Sequence, residues 1–87
     1  MPIALVKRIH VGKYQLDPGL ILTVTREGGH LFVQATEQPK VEMFPEGERD
    51  YFLRAVDAQI TFVTDSQGRA TELILHQGGD HTAKRID

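Results

Sequence analysis

Leu20-Ile21-Leu22-Thr23-Val24-Thr25-Arg26-Glu27-Gly28-Gly29-His30-Leu31-Phe32-Val33-Gln34-Ala35 is the stretch that decides the fold. Leu20, Leu22 and Val24 alternate with Ile21, Thr23 and Thr25. Beyond the two glycines, Leu31, Val33 and Ala35 alternate with Phe32 and Gln34. A period of two places alternate residues on opposite faces of a sheet, so each arm reads as a strand with one buried face. Glycine accepts the positive φ of a two-residue hairpin loop, so Glu27-Gly28-Gly29-His30 joins the arms antiparallel.

The same grammar extends in both directions. Asp17-Pro18-Gly19, Pro39, Pro45-Glu46-Gly47, Asp65-Ser66-Gln67-Gly68 and Gly78-Gly79 are turn chemistry. They bracket short segments such as Ile60-Thr61-Phe62-Val63 and Leu73-Ile74-Leu75, rich in β-branched and apolar residues. The expectation is one all-β domain over residues 1–87: about eight antiparallel strands in a meander across 11–87, curled into a barrel or half-barrel. Residues 1–10 are expected to form a short helix or arm, since Ile3, Leu5, Val6 and Ile9 suit one helical face. Eight strands of this length turn roughly 24 side chains inward, which fills a barrel of that size.

Composition narrows the function classes. The chain has 87 residues and a net charge of −2. Nucleic acid normally requires a basic face, and no run is long enough to span a membrane, so neither is an expected partner. Cysteine is absent, which excludes disulfides, thiolate metal sites and cysteine nucleophiles.

Few residues suggest chemistry. No phosphate loop, nucleophile elbow or metalloprotease helix motif is present. Ser66, the single serine, falls in a turn without a supporting base, so the domain is expected to be non-catalytic and free of cofactors. If Gly78-Gly79 is a two-residue turn, His76 faces His81 with Cβ atoms about 5 Å apart, a candidate metal pair that lacks a third ligand. His10 and His30 read as surface or end-cap residues. Tyr14, Phe44 and Phe62 are candidate linings for an apolar ligand. Phe32 and Phe52 alternate with Leu31/Val33 and Tyr51/Leu53, so one face of each pair must be less buried.

Val11-Gly12-Lys13-Tyr14-Gln15-Leu16, Leu20 to Glu27, Leu31 to Lys40, Tyr51-Phe52-Leu53, Val56 to Phe62 and Leu73 to Gln77 together resemble a domain of unknown function found C-terminal to serine β-lactamase-like hydrolases. The resemblance implies a small lipocalin-like barrel. It also implies an accessory role: docking to a penicillin-binding-protein-like hydrolase domain or self-association, with binding of an apolar small molecule as the alternative. No such hydrolase domain, and no Ser-x-x-Lys motif, is present in these 87 residues. Two positions depart from the family pattern: His10 stands where an aromatic residue is expected, and His81 where an apolar one is.

Overall fold

The computed structural model describes residues 10–87. The N-terminal helix expected over 1–10 falls, apart from His10 itself, outside the described residues. His10 lies in a turn.

Eight strands follow in the described residues: β1 (Gly12–Asp17), β2 (Leu20–Glu27), β3 (His30–Ala35), β4 (Val41–Pro45), β5 (Asp50–Leu53), β6 (Ala58–Thr64), β7 (Ala70–His76) and β8 (Asp80–Arg85). Each pairs antiparallel with the next, and β1 pairs with β8 to close the barrel. Closure gives both outer strands a hydrogen-bonded partner and so removes the exposed sheet edge. The seam is short: Tyr14 opposes Arg85 and Gln15 opposes Lys84. Beside it, the Ile86 amide donates to the Lys13 carbonyl at 2.9 Å.

Alternation decides which side chains point inward. Tyr14, Leu22, Val24, Leu31, Val33, Met43, Tyr51, Ile60, Phe62, Leu73 and Ala83 form the buried interior, with Leu16, Leu53 and Leu75 packed against it. Full burial of one large apolar side chain contributes about 1.5–3 kcal/mol, so this cluster is the principal driving force for folding. Because the strands alternate up and down, the β2–β3, β4–β5 and β6–β7 turns lie at one end, where the chain enters β1 and leaves β8.

The Gly28-Gly29 hairpin forms in the expected register, with Glu27 opposite His30 and Gly28 at φ 63°. The Asp65 turn also forms, its carbonyl accepting from the Gly68 amide at 3.0 Å. Gly78-Gly79 differs. Its loop is three residues long, so His76 opposes Asp80 and Leu75 opposes His81. Two consecutive positive φ values, 64° and 125°, allow the wider loop. The resulting register also brings the His76 ring onto the Asp80 carboxylate at 2.7 Å. The expected face-to-face pair of His76 and His81 is therefore corrected: the two rings lie on opposite faces of the sheet.

Candidate functional site

The described inward side chains pack against one another, and the outward ones form rows over the outer wall. One cross-strand row runs over it from β4 to β8: Phe44 opposite Phe52, Phe52 opposite Gln59, Gln59 opposite His76, His76 opposite Asp80. Each of these residues alternates with an inward neighbour, which is why Met43 and Tyr51 are buried while Phe44 and Phe52 are half-exposed.

The aromatic end of the row is ordered by ring contacts. Phe44 and Phe52 stack with centroids 5.5 Å apart. The Arg54 guanidinium lies over Phe44 at 4.4 Å and near Phe52 at 5.8 Å. From the β3–β4 connection, Lys40 sits 5.0 Å over Phe32 of β3, and it also pairs with Glu27. Such cation–π contacts contribute about 0.5–1 kcal/mol at exposed sites and hold a planar cation flat against a ring. Beside them, His30 Nδ1 meets Glu42 Oε2 at 2.7 Å.

The polar end of the row is a chain of side chains across four strands. Thr61 Oγ1 donates to Asp50 Oδ1 at 2.8 Å and meets His76 Nε2 at 3.0 Å, while His76 Nδ1 meets Asp80 Oδ1 at 2.7 Å. This places a hydroxyl, an imidazole and two carboxylates in one line on the barrel surface. Contacts of this kind fix side-chain geometry across strands, each contributing about 0.2–1 kcal/mol.

The residues singled out in the sequence are thus dispersed. Tyr14 and Phe62 are buried in the core at 0% and 1% exposure, their rings 5.8 Å apart, while Phe44 is on the outer wall. The three share no cavity. An open cleft of about 240 Å³ lies elsewhere, lined by Asp65, Arg69, Ala70, Thr71, Arg85 and Asp87. His81 sits exposed at the turn, its Nε2 3.2 Å from the Gln77 carbonyl. Among the described residues no group of three His, Cys, Asp or Glu side chains is placed to hold a metal ion.

His10 is the residue whose place the sequence reading missed. It is fully buried, stacked in parallel on Phe62 at 4.2 Å and edge-on to Tyr51 at 5.7 Å. It makes aromatic contacts there; the aromatic residue that the resemblance leads one to expect at this point was the available signal.

A family model described as "Domain of unknown function (DUF3471)" matches residues 8–85. Among curated proteins, penicillin-binding protein 4* of Bacillus subtilis (strain 168) is 29% identical over 76 residues. That alignment covers 87% of this chain but 17% of the relative, so the chain spans about a sixth of the length of the protein it matches. No solved structure matches significantly.

Proposed function

Since the chain belongs to the DUF3471 family, we propose that it is a non-catalytic accessory domain that docks its outer aromatic wall onto a penicillin-binding-protein-like hydrolase domain. The carrying observation is the half-exposed Phe44–Phe52 pair under Arg54 on the outside of the barrel. Aromatic and arginine side chains dominate the energetics of protein interfaces, and clustered exposed apolar groups mark contact surfaces. The uneven coverage supports the same reading, because a segment matching so small a part of a relative suits a module serving a larger protein.

The test mixes the purified domain with the Bacillus subtilis relative truncated to lack its matched 76 residues, and follows association by light scattering. A complex is expected, weakened roughly 30-fold or more by Phe52→Ala if that ring is an interface hot spot. A domain that stays monomeric and binds nothing argues against docking; concentration-dependent dimers that Phe52→Ala disrupts would move the reading to self-association through the same wall.

A further inference from the structure

A buried imidazole at the point where the chain enters the barrel is an unusual closing piece. His10 precedes β1 and takes no part in the β1–β2 ladder, which begins at Gly12. Three strands supply its seat. Phe62 of β6 stacks on the ring, Tyr51 of β5 meets it edge-on with its hydroxyl 3.4 Å from Nδ1, and Tyr14 of β1 donates to the His10 carbonyl at 2.9 Å. Among the described residues Nε2 is buried without a hydrogen-bond partner.

We propose that His10 is a protonation-controlled seal: as a neutral ring it closes this end of the barrel, and on gaining a proton it leaves its seat while the strands stay paired.

Among the described residues nothing compensates a cation here. The titratable groups that contact His10 among them are the two phenols, and burial pushes Tyr14 up to about 12 and raises Tyr51 as well, so both stay neutral. Beside His10, the Arg85 guanidinium of β8 donates to the Val11 carbonyl at 2.8 Å and is itself positive. An imidazolium would keep Nε2–H buried without an acceptor, which is costly. Desolvation accordingly lowers the His10 pKa to about 4. Departure is local because, among the described residues, it sacrifices the Phe62 stack, the Tyr51 contacts and the Tyr14 hydrogen bond but no ladder pair. Arg85 continues to hold Val11, so the pivot falls between residues 10 and 11.

The sign follows from linkage. The folded-state pKa lies below the free-imidazole value of 6.5, so the seated form is fully favoured above pH 6.5 and loses ground as pH falls towards 4. Each unit in that window raises the released-to-seated ratio ten-fold, about 300-fold in all, and below pH 4 the effect is complete.

The experiment is an NMR titration of the isotopically labelled 87-residue chain, following the His10 ring, the Tyr51 and Phe62 rings, and the strand amides. The expected result is a His10 ring that stays neutral at pH 5.5, and whose later protonation moves the Tyr51 and Phe62 ring signals while the strand amides persist. The proposal is overturned if His10 gains its proton with those ring signals unchanged, or only as the strand amides collapse together. The His10→Phe variant supplies a second readout: its tyrosine near-ultraviolet dichroism should be flat between pH 6.5 and 4, and a profile matching wild type also overturns the seal. If that variant does not fold, the wild-type titration decides.

Discussion

Replacing Gly12 with alanine tests how the barrel closes. A Cβ at this position would stand 2.9 Å from Arg85 Nε and 3.0 Å from Cζ and Nη2. The obstacle is the far end of a flexible side chain, so it can swing aside, and the steric clash itself is not the cost. What is lost is the position of the guanidinium, which donates from Nη2 to Val11 O at 2.8 Å, from Nη1 to Ala70 O at 3.1 Å and from Nε to Asp87 Oδ1 at 3.2 Å. Hydrogen bonds to a charged group contribute about 1.5–3 kcal/mol each, and partial exposure places these at the low end. Three such bonds at about 1.5 kcal/mol each put Arg85→Ala at about 4.5 kcal/mol, and Gly12→Ala should cost less, about 2 kcal/mol, since it cannot cost more than the arginine contributes. The decisive measurement is the double variant, by urea unfolding followed in the far-ultraviolet at neutral pH. With Arg85 gone, Gly12→Ala should be neutral or stabilising by about 0.5 kcal/mol, because alanine restricts the unfolded chain. Strictly additive penalties would refute the account and show that glycine is needed there for some reason other than the guanidinium.

Two further outcomes follow from the same structure. Leu73 is completely buried at the centre of β7, so Leu73→Ala should destabilise by about 3 kcal/mol and lower the urea midpoint, with little change in m-value; a loss below about 1 kcal/mol would show a loosely packed interior. The Asp65 carboxyl is held below its ordinary range by the Arg69 and Gln67 backbone amides. Its stabilisation is present above the unfolded pKa of about 4 and disappears as pH falls through the lower folded value. Asp65→Asn should therefore flatten that limb of the acid stability curve, and thermal melts between pH 2 and 5 that coincide in shape with wild type would contradict it.

How much of this could be read in the sequence depended on the kind of interaction concerned. Alternation over Leu20–Ala35 identifies β2, β3 and their inward faces because the period of two is a local property. The Gly28-Gly29 hairpin was equally legible. Gly78-Gly79 looked identical, yet one additional loop residue moved His81 off the face that His76 occupies, because glycine permits both loops and a contact across strands selects between them. Grouping Tyr14, Phe44 and Phe62 as one lining failed for a related reason. Aromatic identity says nothing about parity, and Met43 and Tyr51 occupy the inward places beside Phe44 and Phe52. The half-exposure of Phe32 and Phe52 was legible because parity was used. His10 was hidden because histidine is usually exposed, and burial was decided by Phe62, 52 positions away in sequence.

The β1–β8 seam also governs how the chain must assemble. All other strand pairs join sequence neighbours, but the seam brings together groups such as Val11 and Arg85, 74 positions apart. Closing so long a loop carries the largest entropic cost of any step, and few ladder pairs reward it. The order of events should therefore be a curling ribbon of hairpins first and the seam last. A pull applied between the two ends of the domain would load that line directly, opening it like a zipper, one pair at a time, rather than shearing the sheet.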